Sequence, residues 1–143
     1  ARGRAAGGPP PRGRVTVVLD AWAVLALLDG SEPAAAEVDQ LLEQERPAVS
    51  WISLGEVFYI LHRRHGERAA ARTVRDLRAS VEALVPSPDL VLAAGRVKSA
   101  FPLSYADAFA AATAIDRSAV LWTGDPELLV DGAPWAWRGL RCP

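Results

Sequence analysis

Val15–Leu28 (VTVVLDAWAVLALL) is apolar almost throughout and is interrupted by one acid, Asp20. The first half is β-branched and short, which predicts a buried strand. Ala21–Leu28 is rich in Ala and Leu and apolar nearly all round, which predicts a buried helix. Asp20 therefore falls where a strand ends and a helix begins. An unpaired carboxylate is costly to bury there. Either a metal or a hydrogen-bond network compensates it, or it caps the helix that follows.

The 143 residues suffice for one domain with a proper core, and half of them are apolar. The apolar runs are too short to span a membrane, and no secretory segment is visible at the start. The single cysteine, Cys142, excludes an intramolecular disulfide, and a reducing cytoplasm is the expected location. Residues 1–14 (ARGRAAGGPPPRGR) carry four arginines and no acid and read as a disordered Arg/Gly/Pro-rich tail before a folded unit over 15–143. That leaves twelve basic and seventeen acidic residues in the folded unit, a charge of −5. An acidic body argues against a broad basic nucleic-acid footprint, though not against a local, metal-loaded acidic site.

Beyond the opening strand and helix, Ala34–Gln44 predicts a second helix, with Val38, Leu41 and Leu42 on one face. Ala48–Ile52 predicts a second strand. Ser53–Arg64 then reads as a helix opened by a Ser53/Glu56 capping box. Gly66 ends that helix, Glu67–Ser80 is a further helix and Val81–Val85 a third strand. Asp89–Ala100 is helical, and Ser104 opens a helix running to Asp116, with Asp107 completing its S-x-x-D cap. Ala119–Trp122 predicts a buried strand, Thr123–Pro126 a turn, Leu128–Val130 a turn of helix and Trp135–Trp137 an edge strand. Such alternation implies an α/β fold with a parallel sheet covered on both faces. Its functional crevice lies beyond the carboxyl ends of the strands.

Four acids occupy corresponding places in this plan. Asp20 follows the first strand, Glu56 and Asp107 sit in first turns of helices, and Asp125 follows the Ala119–Trp122 strand. A parallel sheet brings all four to one edge, near helix N-termini that favour anions. Taken singly, Glu56, Asp107 and Asp125 also read as ordinary capping acids. Four converging carboxylates repel one another, and a divalent cation resolves the conflict. An all-oxygen site suits Mg²⁺ or Mn²⁺ and not zinc. Such a site supports phosphodiester hydrolysis by acidifying a water and steadying the leaving oxygen. No histidine is required, and His62 and His65 read as surface residues. There is no Walker A loop, no G-x-S-x-G elbow and no zinc-type Cys/His cluster.

The stretches VVLDAWAVLALL around Asp20, SWISLGEVFYIL around Glu56, LSYADAFAAATA around Asp107 and LWTGDPEL around Asp125 resemble those of PIN-domain nucleases. Among these, the chain is most similar to VapC-type toxins of bacterial toxin–antitoxin pairs. The resemblance covers most of residues 15–130. It implies a three-layer α/β/α PIN-like fold with a central, mostly parallel sheet of four to five strands. It also implies Mg²⁺- or Mn²⁺-dependent endoribonuclease activity, a cytoplasmic homodimer and a cognate antitoxin. By this resemblance Asp20, Glu56 and Asp107 are the main metal-binding acids and Asp125 the less constant fourth, with Ser53, Ser104 and Thr123 in support. Two departures stand out: Trp22 replaces a common Ser or Thr, and Ser53 a common Asn or Thr.

Arg64, Arg68, Arg72, Arg75 and Arg78 recur at helical spacing and form one basic stripe if the helix continues through Gly66. The stripe is either a solvated face or, with Arg96 and Lys98, a track for the RNA backbone. Phe58–Leu61 and Ala21–Leu28 offer apolar surface either for the core or for a homodimer or antitoxin face. The competing functional reading is a catalytically silent PIN-like module that binds protein or RNA and uses its acids only as caps. A phosphotransfer receiver is weaker, because Asp20 has no acidic neighbour and Lys98 is poorly placed.

Overall fold

The computed structural model describes residues 16–141. The expected tail over 1–14, Val15 and Cys142 lie outside the described residues. Three-residue strand β1 (Val17–Leu19) is followed at once by α1 (Ala21–Asp29) and then α2 (Ala34–Gln44). The chain continues through β2 (Ala48–Ser50), α3 (Trp51–His65), α4 (Glu67–Leu77), β3 (Glu82–Leu84), α5 (Pro88–Ala100) and α6 (Tyr105–Asp116). It ends with β4 (Val120–Thr123) and β5 (Ala136–Gly139). The sheet order is β3-β2-β1-β4-β5 and every pairing is parallel.

Strand alternation divides the apolar side chains between two cores. Val17 and Leu19 of β1 and Val49 of β2 join buried residues of α1, α2, α3 and α4. Val18, Ala48 and Leu121 point the other way and join α5, α6, Trp135 and Trp137. The sheet is thus the middle of three layers, as the resemblance implies. Its order reverses at β1: one crossover leads to β2, and β4 lies on the other side. The crevice beyond the carboxyl ends of β1 and β4 is a topological switch point, where open α/β sheets hold their ligands. Among the described residues, no helix is long and apolar enough to cross a membrane.

Several expected boundaries move. β2 stops at Ser50, and Trp51 and Ile52 already belong to α3. Ser50, not Ser53, is the N-cap, accepting from the Ile52 amide at 3.1 Å. The Ser53/Glu56 capping box therefore does not form: Ser53 is a buried residue inside the first turn. Serines three apart offer two equivalent starts, and the backbone leaves the extended region at the earlier one, where β2 pairing ends. The expected turn of helix at Leu128–Val130 does not form: Leu128 closes a turn begun at Pro126, and Leu129 and Val130 are irregular. The apolar run in α3 is mostly core: Leu61 is buried and Phe58 packs against it, while Tyr59 is 47% exposed.

Gly66 ends the helix as expected, so the condition for a single basic stripe is not met. With φ 90° and ψ 169°, Gly66 ends α3 and starts α4, so the arginines lie on two helices and not on one stripe. That backbone region is essentially restricted to glycine. A Cβ at Gly66 would touch nothing within 4 Å, so the restriction is purely conformational. Gly66→Ala is expected to cost about 1–3 kcal/mol in urea denaturation. Gly95→Ala, in open space inside α5, is expected to stabilise by up to ~1 kcal/mol.

Candidate active site

Asp20 is only 1% exposed, yet each of its carboxylate oxygens has a partner. As the N-cap of α1, Oδ1 accepts from the Ala23 amide at 2.8 Å. Oδ2 accepts from the Thr123 hydroxyl at the end of β4. Asp20 is therefore both a helix cap and a member of a hydrogen-bond network, one on each oxygen. Thr123 is itself fully buried, and its Oγ1 accepts from the Asp125 amide at 3.0 Å. Asp125 Oδ1 in turn accepts from the Glu127 amide at 3.0 Å. A continuous relay of hydrogen bonds thus runs from the carboxyl end of β1 into the turn after β4.

Asp107 stands in the first turn of α6, and its amide donates to the N-cap Ser104 Oγ at 3.2 Å. Its carboxyl meets those of Asp125 and Glu127: one oxygen from each lies within 4.8 Å of the others. Glu56 approaches from the first half of α3, half-buried, one turn beyond the buried Ser53. Asp20 and Glu56 stand outside the tight triad but within electrostatic reach of it. Asp20 feels Asp107 and Asp125, Glu56 feels Asp125, and Asp107 feels Glu56.

The electrostatics report crowding without a counter-charge. Burial pushes the Asp20 carboxyl up to about 7, against the hydrogen bonds from Thr123 and Ala23 and with a further push from Asp107 and Asp125. Burial and the neighbouring Asp125 and Glu56 hold Asp107 above the usual carboxylate range. Burial and then Asp125 raise Glu56. Among the described residues, none of these acids forms an ion pair with Lys or Arg. A hard divalent cation fits this donor set: three clustered carboxylates, two more beside them, and no sulfur or imidazole.

Of the acids expected from sequence, Asp107 and Asp125 enter the triad, while Asp20 and Glu56 flank it. Glu127 was not expected. Exposed and in a turn, it looks like any solvated acid, and the spacing Asp125-Pro126-Glu127 is its only local signal. His62 and His65 are exposed at the far end of α3. The basic residues disperse. Arg64 pairs with Asp29 at 3.0 Å and Arg75 with Asp76 at 3.3 Å, while Arg68 and Arg72 are exposed on α4. Lys98 Nζ donates to the Leu103 carbonyl at 2.8 Å. Arg96 is exposed beside Tyr105 in a groove between α5 and α6.

A carboxyl that binds its proton more tightly in the folded state stabilises the fold when protonated. For Asp20 this contribution is complete below its unfolded value of 3.8 and is lost as pH rises through about 7. In EDTA, the protein is therefore expected to gain stability, on the order of a few kcal/mol, as pH falls from 8 to 5. Asp20→Asn is expected to flatten that dependence in unfolding curves recorded across this range.

Comparison with known proteins matches the family model described as the PIN domain over residues 17–130. Solved structures give the same fold. VapBC-1 from nontypeable Haemophilus influenzae is 23% identical, with a TM-score of 0.68 over 87% of this chain and 98% of that one. VapC20 of Mycobacterium tuberculosis, described as a Sarcin-Ricin loop cleaving toxin, is 20% identical, with a TM-score of 0.66 over 79% and 92%. PAE2754 from Pyrobaculum aerophilum is 26% identical, with a TM-score of 0.63 over 82% and 90%. Among curated proteins, comparison by sequence finds no match. The matched span starts on β1 and ends beyond Glu127, and so contains the relay, the triad and both flanking acids: the chain belongs to the PIN-domain family.

Proposed function

We propose that this protein is a divalent-metal-dependent endoribonuclease, the toxin of a type II toxin–antitoxin pair, hydrolysing RNA phosphodiesters. The observation that carries the reading is the meeting of Asp107, Asp125 and Glu127 within 4.8 Å at the switch point, with Asp20 and Glu56 beside them. Membership of the PIN-domain family and likeness to VapBC and VapC structures support it.

Asp107, Asp125 and Glu127 would hold Mg²⁺ or Mn²⁺, with Asp20 and Glu56 completing its surroundings directly or through water. A cation bound there would lower the pKa of the attacking water and offset charge developing on the phosphoryl oxygens. The chain supplies the positioning. Thr123 fixes the Asp20 carboxylate and the Asp125 amide at once, and Ser104 holds the α6 turn that carries Asp107. In-line attack of water on phosphorus breaks the P–O3′ bond, leaving a 5′-phosphate and a 3′-hydroxyl. Exposed Arg68, Arg72 and Arg96 offer phosphate contacts. Arg64, Arg75 and Lys98 would first release Asp29, Asp76 and the Leu103 carbonyl.

The partner is a small antitoxin, and the protein acts as a cytoplasmic homodimer. Apolar side chains left at the surface, Leu28 and Tyr59 on one side and Leu92, Tyr105 and Ile115 on the other, supply candidate faces. Structures of VapBC assemblies among the fold relatives support an antitoxin partner.

The test is RNA cleavage with mapped ends, together with calorimetric Mn²⁺ titration. EDTA is expected to abolish cleavage and Mn²⁺ to restore it. Asp107→Asn is expected to lower cleavage by at least ~10²-fold and to weaken Mn²⁺ binding, with circular dichroism unchanged. Wild-type protein that neither binds Mn²⁺ nor cuts RNA would leave the silent binding module as the better account.

A further inference from the structure

Trp22 and Gly124 are 102 positions apart and in contact. Trp22 is the second residue of α1, two beyond Asp20, and is half-buried. A Cβ built on Gly124 would lie 2.3 Å from both Cη2 and Cζ2 of the indole and 2.5 Å from Cζ3. Real Cβ atoms do not approach other heavy atoms so closely. The outer edge of the Trp22 six-membered ring therefore occupies the place where any other residue at 124 would put its side chain. Gly124 is not in the left-handed region, so a side chain there would displace the indole and would not strain the backbone.

Gly124 lies between the two residues that tie β4 to the site. Thr123 donates to Asp20, and the Asp125 amide donates back to Thr123. That bond pair anchors the turn at its start, and the buried Leu128, whose carbonyl accepts from Trp135 Nε1 at 2.9 Å, anchors its far end. The indole edge on Gly124 is a further contact, from the other element that leaves the switch point. It bears on the backbone directly before Asp125, between the two anchored ends of the turn. Asp125 and Glu127, on the far side of Gly124, bring their carboxylates to Asp107 from this turn. Mg²⁺ demands near-ideal geometry at ~2.0–2.1 Å from its oxygens, so a small displacement of the turn is felt directly.

We infer that Trp22 is a positioning residue: its indole edge, seated on Gly124, holds the Asp125 and Glu127 carboxylates in place opposite Asp107. The inference rests on the reading that these carboxylates hold a divalent cation. In this role Trp22 acts through the backbone of the turn and would not itself hold the cation.

The experiment compares full-length wild type with Gly124→Ala, Trp22→Ser, Trp22→Phe and the double variant Gly124→Ala/Trp22→Ser. Mn²⁺ affinity is read by calorimetry, the Mn²⁺ concentration for half-maximal RNA cleavage by titration, and the unfolding temperature in EDTA. Gly124→Ala is expected to weaken Mn²⁺ binding by about tenfold or more and to raise the half-saturating Mn²⁺ in parallel. Trp22→Phe and Trp22→Ser are expected to weaken it by about threefold to tenfold. The double variant is expected to bind Mn²⁺ more tightly than Gly124→Ala, because the added methyl then occupies space the indole has vacated. A role in stability alone would lower the unfolding temperature without moving Mn²⁺ affinity, and would overturn the inference. So would a double variant no better than Gly124→Ala. Should Gly124→Ala not fold, unchanged Mn²⁺ affinity in Trp22→Phe overturns it alone. Wild type that takes up no Mn²⁺ defeats the functional reading and this inference together, whereas a binding wild type with insensitive variants defeats only the inference.

Discussion

The hydrogen bond from Thr123 to Asp20 ties the exit of β1 to the exit of β4 across the one place where the sheet order reverses. Both side chains are buried; Asp20 also accepts from the Ala23 amide and Thr123 from the Asp125 amide, but Asp20 Oδ2 and the Thr123 hydroxyl proton meet each other. Removing one partner would strand the other in the core, at about 1–3 kcal/mol for a neutral group and more for a charged one. From this bond the site is built outward by backbone geometry. Thr123 receives the Asp125 amide, and Asp125 receives the Glu127 amide, so the turn leaves β4 in one conformation. Asp20 also starts α1, so the same carboxylate sets the direction of the first helix and the position of the last strand.

The site is assembled against its own electrostatics. Burial and mutual repulsion raise the carboxyls of Asp20, Glu56 and Asp107, and no described cation side chain offsets them. The helix starts give partial relief. Asp20 caps α1 and Asp107 lies in the first turn of α6, where unpaired amides favour negative charge. The remaining repulsion is what a divalent cation would remove. The donors are all oxygen, which matches hard ions and disfavours soft ones.

Much of this was legible because it depends on near neighbours. The apolar run interrupted by Asp20 predicts strand, junction and helix, and Ser104 with Asp107 predicts the start of α6. Where neighbours are ambiguous, the reading slipped. Ser50 and Ser53 are equally good caps, and only the end of β2 pairing selects Ser50. Gly66 is read correctly as a helix end, and its positive φ excludes the continuous helix that a single arginine stripe would need. Pro126 after Asp125 has the form of a helix start, yet the segment makes only turns. Glu127 carries no local mark, since its importance comes from Asp107 on another element.

By itself, then, the sequence determined the strand and helix alternation, the parallel sheet it implies, and the set of acids at the strand ends, because each depends on contacts within a few residues. Tertiary structure alone decided that Asp107, Asp125 and Glu127 form the inner triad, that Asp20 gives one oxygen to a cap and one to Thr123, and that Trp22 rests on Gly124. The reason is that strand order is not written in any window of the chain. Placing β4 beside β1 brings residues about a hundred positions apart into contact, and no local pattern encodes that distance.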